Sequence, residues 1–355
     1  MLALIVILVS GNIFIPSYEA QHLDKQLLKI KGKHLKYSDS PHVKDFLLSV
    51  KNNDGYICMG TSESTPLRDG NYYEFLDQDT SYETRFSILG GAGWTCGLHM
   101  PMLLQHKNEV RSLKLIYFIN PVYWRSELNG FDKGYWNRYL NYSYYKEVLK
   151  HDEDALLHNI SLEYSQELNT GQKFLSWMEY HIRKLRKPFF QDLRYYLFQG
   201  DYKSDLAFLA EEKTGFNAFE YFGTIDTTYL DTNWNISHEF KGRTWLNPMI
   251  DNDYRTKELR SFIHLCNLLE VEVTYVLGPI NERYIKKYHP PYLEGYQNTL
   301  GMLASVLRSE DVDWIDLTYL GSVPGSFIDN QHHSSYGAYF IYQDIKKHLN
   351  EKEDL

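Results

Sequence analysis

The chain has 355 residues with 43% hydrophobic residues and a formal net charge of −9, so it can form one large domain or two smaller ones with a sizeable core. The acidic balance argues against nucleic acid as a partner. The cysteines, Cys58, Cys96 and Cys266, are widely spaced and form no CxxC pair. The sequence therefore predicts neither a zinc site nor a disulfide framework, and no metal or other cofactor is expected.

The N-terminal segment is apolar. Met1 to Tyr18 carries no charge, and Leu2 to Val9 is continuously apolar. A membrane-spanning helix needs about 17–25 residues, so this segment is marginal. We interpret residues 1–20 as a signal-anchor or signal-like segment that holds residues 21–355 outside the cell membrane. The alternative is a buried N-terminal strand.

The first predicted strand ends in a serine-containing turn. A helix-like stretch, His42 to Val50, leads to the apolar run Tyr56 to Met59, which Gly60-Thr61-Ser62-Glu63 follows. A serine after a strand end lies at the edge of a sheet, next to the unpaired N–H groups of a following helix. Ser62 is therefore a candidate nucleophile. The alternative is that Ser62 only caps that helix.

The second predicted strand, Phe86 to Leu89, ends in the glycine-rich stretch Gly90-Gly91-Ala92-Gly93, and a helix is predicted over Leu98 to Glu109. Glycine lets the backbone approach a ligand and direct an N–H group at it, so Gly91 and Gly93 are candidate donors to an oxyanion. A nucleotide-phosphate cradle is the rival interpretation. It is disfavoured because the Lys-Ser/Thr of a P-loop and the full GxGxxG spacing are both missing.

The third predicted strand, Leu113 to Ile119, is stopped by Asn120-Pro121. Ligands of open α/β sheets bind beyond the carboxyl ends of the strands, so Asn120 is a further candidate oxyanion donor. Three successive strand ends carry glycine or short polar side chains, and this recurrence favours a site at that edge.

The middle of the chain, residues 130–250, is predicted to be a mainly helical insertion that is rich in aromatic residues. It contains a basic cluster at Arg183, Lys184, Arg186 and Lys187. This cluster is either a solvated helix face or a contact for a polyanion or a membrane.

Strands and helices alternate again after the insertion. The sequence predicts a helix over Asp253 to Glu270, a strand over Val271 to Leu277, a helix over Tyr292 to Arg308 and a short strand over Trp314 to Leu317. Alternation at both ends of the chain predicts an α/β fold with three layers, a parallel sheet between helices on both faces.

A possible catalytic pair precedes the closing helix, Ala338 to Leu349. Asp329 and His332 are three residues apart, so on one helical turn they share a face. The carboxylate can then hold the Nδ1–H group of the imidazole and leave Nε2 to take a proton from Ser62. His333 is the rival base. The alternative is a helix cap with two exposed histidines.

The order Ser…Asp…His resembles the SGNH hydrolase superfamily, and within it the DltD family of teichoic acid D-alanylation. The matching stretches are Gly60-Thr61-Ser62-Glu63, Leu89-Gly90-Gly91-Ala92-Gly93, Ile119 to Trp124, Pro279-Ile280-Asn281, and Asp329 with His332 and Gly337. The sequence departs from the family most clearly at three positions. His333 stands where the family usually has leucine, Tyr336 where it has tryptophan, and Asn120 where it has serine.

The resemblance implies a flavodoxin-like SGNH domain in which Ser62 is the nucleophile, His332 the base and then the acid, and Asp329 the residue that orients His332. It implies D-alanyl esters as acyl donors and teichoic acid or another envelope polymer as the acceptor. A membrane O-acyltransferase and an acyl carrier protein are implied as pathway partners.

Two rival functions stay open. The first is an SGNH O-acetyltransferase or acetylesterase of an envelope polysaccharide. The second is a non-catalytic glycan- or partner-binding scaffold, which the 30 tyrosines and 7 tryptophans would suit.

Overall fold

The computed structural model describes residues 34–35, 43–61, 64, 70–81, 86–89, 95–124, 171, 175, 217–234 and 253–353. The predicted N-terminal anchor, residues 1–20, the basic cluster and most of the 130–250 insertion lie outside these residues, and the predictions for them stay predictions. Within the described ranges, no helix has both the length and the apolar character that crossing a membrane requires.

The described strands form one parallel sheet. They are β1 (His34–Leu35), β2 (Tyr56–Met59), β3 (Phe86–Leu89), β4 (Lys114–Ile119), β5 (Glu272–Leu277) and β6 (Trp314–Asp316). The strand order is β1-β3-β2-β4-β5-β6, and every neighbouring pair is parallel.

The two-residue strand β1 extends one edge of this sheet, so the strand predicted as the first is the second in the chain. From β3 to β6 the order is that of flavodoxin-like doubly wound folds. The predicted fold class, a three-layer α/β/α arrangement around a parallel sheet, is therefore confirmed.

The described helices include those predicted over residues 42–50, 98–109, 253–270, 292–308 and 338–349, together with further helices that the sequence did not predict individually. They are α1 (Val43–Asn52), α2 (Tyr72–Gln78), α3 (Cys96–Gln105), α4 (Lys107–Val110), α5 (Pro121–Trp124), α6 (Ala218–Phe222), α7 (Thr227–Thr232), α8 (Tyr254–Leu268), α9 (Glu282–Tyr288), α10 (Leu293–Ser309) and α11 (Ser335–Glu353), with 3₁₀ turns at Pro290–Tyr292 and Thr318–Ser322.

Two helix boundaries differ from the prediction. The helix predicted over Leu98 to Glu109 is broken at His106, whose backbone leaves the helical region at φ −116° and ψ 32°. The closing helix begins at Ser335 rather than at Ala338.

Strand β4 shows why helices cover both faces of the sheet. Leu115, Tyr117 and Ile119 point to one face, where they pack with residues of α1, α3, α8 and α10. Ile116 and Phe118 point to the other face, where they pack with residues of α2 and α11. Because successive side chains of a strand alternate between faces, a continuous apolar run needs an apolar partner layer on each side.

Helix α8 confirms a finer prediction. The apolar stripe expected along it is buried, at Leu259, Phe262, Ile263, Cys266 and Leu269. His264, which falls off the stripe, is exposed as predicted. The 3.6-residue period of the apolar positions therefore fixed the orientation of this helix on the sheet.

Candidate active site

The Asp–His pair predicted near the C-terminus is formed. The Asp329 side chain is 1% exposed, and its Oδ2 lies 2.7 Å from Nδ1 of His332. An ionised carboxylate only accepts hydrogen bonds, so Nδ1 carries the proton and Nε2 of the neutral ring carries the lone pair. This is the tautomer that a general base for a serine hydroxyl requires.

A loop, rather than the predicted helical turn, brings the two side chains together. Oδ1 of Asp329 accepts the backbone N–H groups of Gln331 at 2.9 Å and of His332 at 2.7 Å. The N–H of Ile328 donates to the carbonyl oxygen of His332 at 3.0 Å. Aspartate favours such side-chain-to-backbone turns because its carboxylate can accept from the N–H groups two and three residues ahead. We call residues 325–334 the dyad loop.

The environment keeps Asp329 charged. Burial acts to raise the pKa of this carboxyl group, but the hydrogen bond and charge of His332 and the two backbone N–H groups outweigh burial and lower the pKa below its usual value. Asp329 is therefore an anion at neutral pH, and it can stabilise the positive charge that His332 gains when it accepts a proton.

Asn281 fastens the dyad loop to the end of β5. Its Nδ2 donates to the carbonyl oxygen of Asp329 at 3.0 Å, and its backbone N–H donates to the carbonyl of Asn330 at 3.1 Å. Its Oδ1 accepts the N–H of Tyr284 at 2.9 Å and so caps α9. In the sequence, Asn281 stands out only through the family resemblance. An asparagine that follows a predicted strand end is the signal that could have marked it as a helix cap.

The rival base, His333, lies in a different environment. Both of its ring nitrogens are covered, and among the described residues neither has a hydrogen-bond partner. The ring packs against those of Phe327 and Phe118, with centroid distances of 4.6 and 5.8 Å. Burial, followed by the nearby charge of His332, lowers the pKa of His333 to about 3. The interpretation as two exposed histidines is therefore wrong for His333, whose low pKa keeps the ring uncharged at neutral pH.

The strand that leads to Ser62 ends beside the dyad loop. A Cβ atom on Gly60 would lie 2.7 Å from the carbonyl oxygen of Phe118, so only glycine fits here. The ring of Phe118 in turn contacts His333. The end of β2 and the dyad loop thus lie against the same phenylalanine, at the carboxyl edge of the sheet. Ser62 itself, like Gly91 and Gly93, lies outside the described residues.

The described residues around Ser62 distinguish it from a second serine. Ser64 is fully buried, and its Oγ lies 2.9 Å from the hydroxyl oxygen of Tyr72. Its backbone N–H donates to the carbonyl of Thr61 at 3.2 Å. A substrate cannot reach a hydroxyl that is buried in this way, so Ser64 is not a candidate nucleophile.

Asn120 lies at the end of β4, as predicted, and is fully buried. Its Oδ1 accepts the N–H of Val122 at 3.0 Å. Because Oδ1 accepts this bond, the orientation of the carboxamide is set, and its NH₂ group is the part that can donate to an oxyanion. Its role as an oxyanion donor stays a prediction, as do the roles of Gly91 and Gly93.

The chain that follows the glycine-rich stretch is anchored by a buried carboxylate. Glu258 accepts the hydroxyl of Thr95 at 2.6 Å and the backbone N–H of Gly97 at 2.5 Å, and it pairs with Arg255 at 2.5 Å. All of these groups are buried, so the start of α3 is tied firmly to α8. Cys96 lies in this first turn. Burial raises the pKa of its thiol well above the usual value, which disfavours a thiolate nucleophile.

In the part of the chain that the structure describes, no group of three or more His, Cys, Asp or Glu side chains could hold a metal ion. No family model matches the sequence, and no curated protein aligns with it. Among solved structures, the extracellular lipase of Streptomyces rimosus matches with 10% identity and a TM-score of 0.35, over 84% of this chain and 98% of that one. So weak a likeness decides nothing about the reaction, which has to be argued from the residues of the site.

Proposed function

We propose that this chain is a serine acyltransferase or esterase that acts outside the cell on D-alanyl esters in teichoic acid D-alanylation. The observation that carries the proposal is the 2.7 Å contact between Oδ2 of Asp329 and Nδ1 of His332, beside the strand end that precedes Ser62. A serine hydroxyl is a weak nucleophile until a positioned base takes its proton.

The proposed reaction has two steps. Nε2 of His332 takes the proton of the Ser62 hydroxyl while Oγ bonds to the ester carbonyl carbon, and the leaving alcohol then receives that proton as its C–O bond breaks. The acyl group, now on Ser62, is transferred to an acceptor hydroxyl or to water by the same sequence of proton movements. Gly91, Gly93 and Asn120 are the proposed donors to the oxyanion, and each such donor contributes about 3–4 kcal/mol.

The resemblance to the DltD family supports the D-alanyl group, the envelope polymer as acceptor and the partnership with a membrane O-acyltransferase and an acyl carrier protein. The apolar N-terminal residues 1–20 support attachment to the membrane. Asn120 favours a second candidate, an acetylesterase or O-acetyltransferase of an envelope polysaccharide, since it stands where the DltD family has serine and follows the general SGNH pattern.

Labelling with a fluorophosphonate tests the nucleophile. Wild-type protein should be labelled, and Ser62→Ala should not, because the probe bonds covalently only to an activated serine. Ser64→Ala is the matched control and should be labelled like the wild type. Equal, poor labelling of the wild type and Ser62→Ala would reject the enzyme in favour of a binding scaffold.

Turnover of paired substrates tests the acyl group. The purified protein should release the alcohol from D-alanyl esters faster than from acetyl esters of the same alcohol. Turnover of the acetyl esters alone would reject the D-alanyl assignment and support the second candidate.

A further inference from the structure

A cavity of about 510 Å³ lies between the α6–α7 segment and the dyad loop. One wall consists of residues from the stretch 221–230, and the other of Ile328 and residues 333–335. Cavities that bind small molecules typically measure about 300–1,000 Å³, so the space is large enough for a ligand.

The cavity adjoins the proposed catalytic pair. Its lining residues Ile328 and His333 stand immediately before Asp329 and immediately after His332 in the chain. The N–H of Ile328 also donates to the carbonyl of His332 at 3.0 Å. A group bound here would therefore touch the loop that holds the dyad.

The opposite wall is fastened to the same domain. A Cβ atom on Gly325 would lie 2.7 Å from the Cβ of Thr227, so α7 packs directly on the dyad loop. Asp231 of α7 forms an ion pair with Arg283 of α9. Packing therefore joins the two walls directly, and the ion pair ties α7 to the neighbouring helix α9.

The lining combines aromatic rings with hydroxyl groups and a single carboxylate. Tyr221 and Tyr229 are 44% and 62% exposed, and the hydroxyl-bearing residues Thr224 and Ser335 belong to the same lining. Asp226 is the carboxylate; its Oδ1 caps α7 by accepting the N–H groups of residues 228 and 229 at 3.0 Å. No lysine or arginine is among the described lining residues.

The histidine in the lining adds no positive charge. The ring of His333 is held between those of Phe327 and Phe118, and burial keeps its pKa at about 3. A phosphate in the cavity would therefore meet the carboxylate of Asp226 without a cation from any described lining residue.

We propose that this cavity binds an uncharged polyhydroxy unit, a sugar or polyol residue, that belongs to the alcohol half of the ester. Aromatic rings with a polar tip can pack on the C–H face of such a unit, and hydroxyl and carboxylate groups can pair with its hydroxyls. Only the assignment to the alcohol half rests on the proposed function; binding itself does not need the dyad. Phosphates of an envelope polymer would stay outside the cavity.

Ligand-observed NMR on the full chain tests this assignment, with glucose and glucose 6-phosphate as probes. Glucose should bind saturably to the wild type and equally to Ser62→Ala, and glucose 6-phosphate about fivefold more weakly, because the phosphate meets the charge of Asp226. Asp226→Asn keeps the helix cap and should narrow that difference to less than about twofold. Tyr229→Ala should weaken glucose binding roughly three- to tenfold.

Two control variants carry matched changes outside the cavity. Asp253→Asn replaces the capping aspartate of α8, and Tyr319→Ala removes another exposed tyrosine; both should bind the probes like the wild type. Absence of saturable glucose binding, or equal effects of Tyr229→Ala and Tyr319→Ala, would overturn the site. If Ser62→Ala keeps its esterase activity while glucose binding behaves as expected, the proposed chemistry fails and the sugar site stands.

Discussion

Two aspartate–histidine pairs lie at opposite ends of helix α11. At its start, Asp329 and His332 are joined at 2.7 Å; near its end, Asp313 and His348 are joined at 2.6 Å. Ser335 and His348 are 13 residues apart, which along a helix amounts to about 20 Å. The two pairs have nearly the same distance, yet their surroundings give them different chemistry.

The first difference is the histidine nitrogen that the carboxylate holds. Asp329 binds Nδ1 of His332, whereas Asp313 binds Nε2 of His348. The second is burial, because Asp329 is 1% exposed and Asp313 28%. The third is competition, since Lys352 also donates to Asp313, at 2.8 Å.

Position in the sheet separates the pairs further. Asp313 immediately precedes β6, at the amino edge, whereas the dyad loop is fastened by Asn281 to the carboxyl edge, where open α/β sheets bind ligands. A short Asp–His distance therefore does not identify a catalytic pair. Asp329–His332 is the candidate catalytic pair for three reasons together: the carboxylate holds Nδ1, the carboxylate is buried, and the pair lies at the carboxyl edge of the sheet.

The largest expected difference between the pairs is catalytic. Asp329→Asn should lower kcat for ester turnover by about 10⁴-fold, because an amide can hold the imidazole in the wrong tautomer. Asp313→Asn should leave kcat close to that of the wild type. Both variants are measured by steady-state kinetics on the D-alanyl or acetyl ester that the wild type turns over. Equal losses of kcat would show that the two Asp–His pairs do not differ in catalytic role.

A smaller effect is expected where the dyad loop is fastened. Asn281→Asp keeps an oxygen to cap α9 but loses the donor to the Asp329 carbonyl. Because small misplacements of catalytic groups are costly, kcat should fall roughly 10- to 100-fold with little change in KM. Steady-state kinetics with the same ester measure both parameters.

Two control variants accompany Asn281→Asp. Asn217→Asp makes the same change at the cap of α6 and should not alter kcat. Asn281→Ser lacks both the new charge and the reach to Asp329, so it should repeat the loss of kcat if burying a carboxylate prevents Asn281→Asp from folding. A rise in KM with unchanged kcat would contradict a positioning role.

The smallest expected effect is on the free energy of unfolding, through the Asp313–His348 pair. Burial acts to raise the pKa of Asp313, but hydrogen bonds from Lys352 and Thr274 and the charge of His348 lower it below its usual value of 3.8. The native state thus binds fewer protons than the unfolded state, so this stabilisation is present above about pH 4 and is lost as the pH falls below that value.

Asp313→Asn should therefore cost up to about 1 kcal/mol at neutral pH, and this difference from the wild type should shrink in acid. Urea unfolding at pH 7 and pH 3 measures it. If the difference in unfolding free energy between the wild type and Asp313→Asn grew on acidification, Asp313 would not stabilise the fold as an ionised carboxylate.

Most of the sheet was predictable because its strands are short apolar runs closed by glycine, asparagine or proline. Residues 114–119 and 272–277 fall within the predicted strands. The pairing of Asp329 with His332 was also predicted, but for the wrong geometric reason, since side-chain-to-backbone bonds in a loop replace a helical turn. Local spacing cannot distinguish these two conformations, because both bring residues three apart together.

The sequence by itself determined the layered architecture, since the period of its apolar residues dictates which face of each strand and helix must be buried. Only the tertiary structure decided which aspartates and histidines meet. Asp313 and His348 are 35 residues apart, and the ring of His333 in the dyad loop packs against that of Phe118 on strand β4. Such contacts arise from packing between distant segments, and that packing also determines burial and therefore the charge that each group carries.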